Sequence, residues 1–190
     1  MGRLVISSVT SMQVRSYLVK KNTTLLTQAV EGVVSEAEQQ KKCALMTTMH
    51  LDILLSLSAF TDGHVWAAGK ADPSLVSALT AVARNKAAGF VAVHRTAALA
   101  ILHNLSFSPT SRSRLLLSSS VLEGLAKDWI GDDDVRVRNM ALRIAWNLAA
   151  NNYKGKVALA RAGVSKAVSV EAGRHPKDPL LASVNTLLSL

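Results

Sequence analysis

The chain has 190 residues, 49% of them apolar and only 4% aromatic, with a formal net charge of +9 and a pI near 10.1. That length and apolar content allow one continuous core or two small ones, and a surplus of Ala, Leu and Val over aromatics suits closely packed helices and suits sheets poorly. No apolar run reaches the roughly 18 residues of a membrane span, the opening MGRLVISSVTSM lacks the layout of a secretory peptide, and Ile6 stands where N-myristoylation wants Ser or Thr.

The lone Cys43 cannot form an internal disulfide, which points to a reducing compartment and, with no targeting signal, to the cytoplasm. Cys43 follows Lys41-Lys42, a placement that lowers a thiol pKa; the plainer expectation is a buried, inert thiol. The charge raises the prospect of nucleic acid or another anionic partner. It is spread, however: residues 1–95 hold 10 Lys/Arg and 6 Asp/Glu, and residues 96–190 hold 12 and 7. Solvated helix faces account for most of it.

In chain order, residues 17–34 (YLVKKNTTLLTQAVEGVV) follow a helical pattern without a clear repeat, and residues 1–35 are expected to cap the structure with one or two helices. A helix ends at ILLSLSAF (Ile53 to Phe60), before the turn residues Thr61-Asp62-Gly63. Pro73 behind Asp72 is a first-turn proline behind a cap and opens a helix through about Arg84. AALAILHNLSFSP (Ala97 to Pro109) is a third helix with its terminator. Between Pro109 and Gly131 there is room for a short helix and a longer one. Asp132, Asp133 and Asp134 precede the helix containing MALRIAWNLAANN (Met140 to Asn152), where carboxylates cap amides and meet the positive helix end; capping is preferred over metal binding. Short and longer segments recur from Tyr153 to Gly173, and a last helix runs from Leu180 to Leu190.

Two of these segments superpose with a 43-residue offset. It pairs Arg95 with Arg138, Ala98 with Ala141, Leu99 with Leu142, Ile101 with Ile144, Asn104 with Asn147 and Leu105 with Leu148, and continues to Leu116 with Leu159 and Val121 with Val164. Ile53, Leu54 and Leu57 match Ile101, Leu102 and Leu105 as an earlier copy. A period in the 40s made of helices is the mark of stacked helix-pair or helix-triplet units. The expected fold is therefore all-α, a solenoid of three to four repeats in a single domain. Its units are 36–86, 87–131 and 132–173, flanked by 1–35 and a terminal helix in 174–190. Each unit buries its faces only against neighbours. Arg143, Asn147 and Asn151 recur every four residues as the polar stripe of an otherwise apolar helix.

Candidate chemistry is sparse. His50, His64, His94, His103 and His175 show no three- or four-residue pairing of a helical metal site. No Gly-rich phosphate loop, nucleophile elbow or pair of catalytic acids occurs, so no enzyme, catalytic residue, metal or cofactor is expected. The sequon at Asn104 lies inside a packed helix, which argues against glycosylation. Trp66, Trp129 and Trp146 fall in different units and form no stacking platform for bases. Trp146 is expected in the core. Trp129, ending a second helix before Gly131, is either an exposed interface anchor on the outer layer or packed between repeats.

ALAILHNLS and ALRIAWNLA, each followed by a polar break and a short helix, resemble the third-helix signature of armadillo repeats over roughly residues 44–172. More narrowly, AILHNLSFSPTSRSRLL, RNMALRIAWNLAANNYKGKVAL and HPKDPLLASVNTLLSL are similar to the C-terminal end of the rotatin family, very large armadillo-like proteins of centrioles and ciliary basal bodies. The armadillo resemblance implies a right-handed superhelix whose third helices line a groove, with the Asn of the Asn-Leu ending holding a peptide backbone. Those positions are Asn104 and Asn147 here. The Trp that import adapters place one turn earlier is replaced by Ala100 and Arg143, so a basic signal is not the expected ligand. Arg143, Asn147 and Asn151 favour an acidic or polar segment. Alternatively both Asn residues only bridge adjacent repeats. The resemblance implies a protein-interaction scaffold in centriole assembly and ciliogenesis, located at the centrosome or basal body, with a centriolar protein segment as partner and no small-molecule substrate or membrane. The alternatives are a basic nucleic-acid or microtubule binding module and a generic cytoplasmic armadillo peptide-binding adapter.

Overall fold

A computed structural model describes residues 24–39, 44–60, 73–86 and 92–189. Among the described residues every regular element is helical: α1 Thr24–Gln39, α2 Ala44–Ser58, α3 Pro73–Arg84, α4 Ala92–Leu105, α5 Pro109–Leu117, α6 Ser119–Glu123, α7 Val135–Ala149, α8 Tyr153–Arg161, α9 Val164–Arg174 and α10 Pro179–Leu188. Helix α6 runs on as a π-helical stretch, Gly124–Trp129. Cys43, Asp72, the Thr61-Asp62-Gly63 turn, His64, Trp66 and the paired lysines Lys20-Lys21 and Lys41-Lys42 lie outside the described residues.

The breakers of the sequence act as helix caps. Pro109 starts α5 behind an extended Ser108, where the missing amide of a first-turn proline costs nothing. Asp134 accepts from the Arg136 amide at 2.9 Å to open α7. Asp178 accepts from the amides of Leu180 and Leu181 at 2.9 and 3.2 Å to open α10. Gly163, at φ 86°, lies in the left-handed region before α9. Only Asp134 of the three consecutive carboxylates caps α7, a correction to the capping read for all three. Asp133 is exposed. Asp132 accepts from the Asp134 amide at 3.0 Å, while its carboxylate turns inward to Arg95 of α4.

The helices pack in rows. In one row α2 meets α4, α4 meets α7 and α7 meets α10; in a second, α1 meets α3, α3 meets α6 and the π-helical stretch, and that stretch meets α9. The short helices α5 and α8 also touch each other. The first row contains the sequence copies, and the equivalent pairs Ala98/Ala141, Leu99/Leu142, Ile101/Ile144 and Leu105/Leu148 are all buried. Small Ala side chains at repeated positions let successive helices approach while Leu and Ile fill the space between. Leu148 is fully enclosed, so Leu148→Ala is expected to lower unfolding free energy by about 2–5 kcal/mol through the cavity it leaves. A denaturant melt measures this, and a negligible loss would contradict the burial.

Candidate protein-binding surface

The two repeated asparagines occupy equivalent positions and make equivalent bonds. Asn104 Nδ2 on α4 donates to Ser58 Oγ at the end of α2 at 3.0 Å. Asn147 Nδ2 on α7 donates to Ser106 Oγ, just past the end of α4, at 2.8 Å. Ser58 and Ser106 are themselves register-equivalent and buried; their hydroxyls donate back to Leu55 O and His103 O. Each Asn therefore ties its helix to the preceding one in the row, through a hydroxyl whose own proton is already committed. Each side-chain amide also has an oxygen with two lone pairs that this bond does not use, and both residues are only partly buried; at Asn104 that oxygen is shared with the His103 imidazole. The serines were the partners that sequence reasoning missed; their shared position two residues after the aligned Ser56/Asn104 site was the available signal.

Arg143 is exposed on α7, one turn from Asn147, and no carboxylate occurs in α4, α7 or α10. Trp146, three residues after Arg143, is 38% exposed. This corrects the expected core placement: Trp146 shares the outward side of the helix with Arg143 instead of the Leu142–Leu148 side. Of the two placements open to Trp129, the packed one is found. Trp129 is fully buried and is no exposed anchor. Its ring lies over Gly124, five residues earlier, where a Cβ would come within 2.5 Å of the indole. The five-residue spacing is that of the π-helical turn, which stacks Trp129 on Gly124 and carries it inward.

On α4, His103 sets its ring edge-to-face with exposed Phe107, centroids 4.9 Å apart and planes at 78°. Burial is the main cause lowering the His103 pKa; its side-chain hydrogen bond with Asn104 opposes this, and the nearby Arg143 charge pushes it further down. A neutral imidazole beside a guanidinium keeps this face singly charged near Arg143 at neutral pH. Trp146, Arg143, Phe107 and His103 thus supply aromatic faces and a guanidinium on adjoining helices, side-chain types enriched at protein interfaces.

Asn151 is exposed with φ 52°, a left-handed conformation that Asn tolerates better than most residues. Asn152 then accepts from the Gly155 amide at 3.1 Å and donates to Leu148 O at 3.1 Å. A Cβ on Gly155 would lie 2.1 Å from that same carbonyl. The NNYKGK element, read in the sequence as a family mark, is thus a reversal that seats α8 on the end of α7. Asn151 belongs to this turn, and nothing places its side chain beyond it.

Of the other described histidines, His94 bonds Thr48 Oγ1 at 2.6 Å, and His175 lies 3.7 Å from Glu171. Among the described residues no group of three or more His, Cys, Asp or Glu side chains is placed to hold a metal ion, and no described helix is long and apolar enough to cross a membrane. No protein-family model matches the chain, and no curated protein matches it.

Proposed function

We propose that the chain is a non-enzymatic protein-interaction scaffold, an armadillo-like solenoid that presents the Arg143–Trp146 face to an acidic or polar segment of a partner protein. The observation that carries the reading is the pair of equivalent Asn-to-Ser bonds, which join one helix row at the period of the repeat. Each unit is thereby fixed to the next by the same contact, as expected of stacked repeats that bury their faces against neighbours. The exposed guanidinium and indole on that row supply a fork for carboxylates and an apolar anchor. The similarity of NNYKGK and of the proline-started last helix to rotatin adds a cellular setting. In this proposal the partner is a centriolar protein, and the work is centriole assembly and cilium formation.

The test combines capture with charge reversal. Partners recovered on the purified chain are titrated against Arg143→Glu and against Lys127→Glu, a change of equal charge at an exposed position of the π-helical stretch in the other row. Arg143→Glu removes no apolar packing, so the helical spectrum should be retained. The expected loss of affinity is at least about tenfold, or about 1.4 kcal/mol, for Arg143→Glu only. Equal losses would mean that net charge alone attracts the partner; no loss in either would remove the face from the mechanism. A tagged chain that stays diffuse in ciliated cells would remove the centriolar setting while leaving the scaffold reading open.

A further inference from the structure

Charge is segregated between the helix rows in a way that composition hides. Among the described residues of the C-terminal half, the acidic side chains lie in the second row, in helix caps, or in the linker Asp132-Asp133 ahead of α7. Glu123 and Asp128 hold Arg84, Asp132 holds Arg95 and Lys86, Asp134 holds Arg136, Glu171 holds Arg174, and Asp178 caps α10. The short helices α5 and α8 carry no acid at all. Between Asp134 and Glu171 the chain has seven Lys or Arg residues and no carboxylate, and from Thr96 to Leu122 it again has none.

Helices α5 and α8 pack against each other and hold five cations: Arg112, Arg114, Lys154, Lys156 and Arg161. Arg114, Lys154 and Arg161 are exposed, and among the described residues no carboxylate pairs with Lys154, Lys156 or Arg161. Arg112 is only partly buried, its Nε donating to Ser106 O at 3.1 Å. The same two helices carry the two most exposed large apolar side chains described, Leu117 at 86% and Tyr153 at 75%. Like charges collected on adjoining short helices repel one another and lower stability unless an anion is present, and they attract a polyanion from a distance.

We propose that the α5–α8 ridge is a second interaction surface, binding an acidic polypeptide segment whose carboxylates are interspersed with apolar side chains. The cations define the partner's sign; Leu117 and Tyr153 define its class. A nucleic-acid backbone satisfies the cations but leaves Leu117 in water, and a single Tyr offers no succession of rings for bases to stack on. A lipid surface attracts the cations, but two isolated apolar side chains give little area to insert. A polypeptide of mixed carboxylates and leucines covers both. The ridge lies on different helices from Arg143 and Trp146, so its test and the test of that face succeed or fail separately.

The experiment uses the full chain and a labelled peptide of glutamates with leucine at every fourth position. All-glutamate peptide, a single-stranded RNA of matched charge and phosphatidylserine vesicles serve as competing probes. The mixed peptide is expected to bind tighter than all three. Lys154→Glu with Arg161→Glu should weaken it at least about tenfold, Leu117→Ser with Tyr153→Ser should weaken it while leaving all-glutamate binding unchanged, and Lys127→Glu should leave it within about twofold. All substituted side chains are exposed, and an unchanged helical spectrum checks the fold. RNA binding equal to or tighter than the peptide would overturn the proposal in favour of a phosphate-reading ridge, and stronger vesicle binding would overturn it in favour of a lipid surface. No binding, or equal losses from Lys127→Glu, would remove the ridge as a site.

Discussion

Asp132→Ala is expected to lower unfolding free energy by about 3–5 kcal/mol, because it strands a buried guanidinium. Arg95 and Asp132 expose only 8% and 4% of their side chains. The pair is bidentate, with Arg95 Nη1 and Nη2 at 3.3 and 2.5 Å from the two carboxylate oxygens. Arg95 Nε also donates to Ala83 O at 3.0 Å, so one side chain of α4 joins the end of α3 to the entry of α7. Without Asp132 that guanidinium keeps one carbonyl and loses its counter-charge in a largely buried site. Replacing both partners, Arg95→Met with Asp132→Leu, should recover much of the loss, since an apolar pair removes both desolvation costs. A denaturant series on the single and double variants measures this. A double variant as unstable as Asp132→Ala would show that the hydrogen bonds, and not the unpaired charge, set the cost.

The same pair gives the stability a pH dependence of definite sign. Burial pushes the Asp132 pKa up, but hydrogen bonds from Arg95, the Asp134 amide and Lys86 outweigh it, and the carboxyl sits below its ordinary value of 3.8. Asp134, held by Arg136, is lowered to about 2. A carboxyl lowered by folding contributes stability that is present above its unfolded pKa and is lost as pH falls through the folded one. The wild-type chain should therefore lose stability below about pH 4, and Asp132→Asn, already weaker at neutral pH, should lose less over that interval.

What the sequence revealed and what it hid divide along a physical line. Helix starts at Pro73 and Pro109 and the burial of Ala98, Leu99, Leu105, Ala141, Leu142 and Leu148 follow from fixed φ, missing amides and a 3.6-residue period, all local properties. The 43-residue offset was legible because equivalent helices occupy one row and so meet the same neighbours. Asp132 was read as a cap because its sequence neighbours are helix-starting residues; its actual partner is 37 residues away. The choice between the two placements of Trp129 depends on helix phase, and the π-helical stretch Gly124–Trp129 changes that phase without any change in apolar spacing. Trp146 lies on a regular α-helix three residues after Arg143, so the 3.6-residue period itself puts it beside the polar stripe. The Asn104 and Asn147 signature gave the position of two functional candidates but not their first bond, since Ser58 and Ser106 enter only when the helices are stacked.

Trp129→Ala should cost about 3–5 kcal/mol, the range for a large buried ring, and its more informative use is as a background for Gly124. In the wild-type chain Gly124→Ala places a methyl 2.5 Å from the Trp129 ring atoms Cη2 and Cζ2. An indole enclosed on all sides cannot swing away, so the clash should cost about 1–3 kcal/mol. In the Trp129→Ala background that obstacle is gone, and the methyl replaces the most flexible residue of a helical turn, a change worth up to about 1 kcal/mol in favour of folding. The expected result is a reversal of sign for one substitution between two backgrounds. Trp129→Phe separates the ring's area from its polar group: the indole N–H is buried without a hydrogen-bond partner, so the smaller phenyl gives up contact area but also relieves an unpaired donor. It should cost markedly less than Trp129→Ala. Should Gly124→Ala destabilise both backgrounds equally, the glycine is required by the backbone of the π-helical turn, and the ring of Trp129 is not what excludes a side chain there.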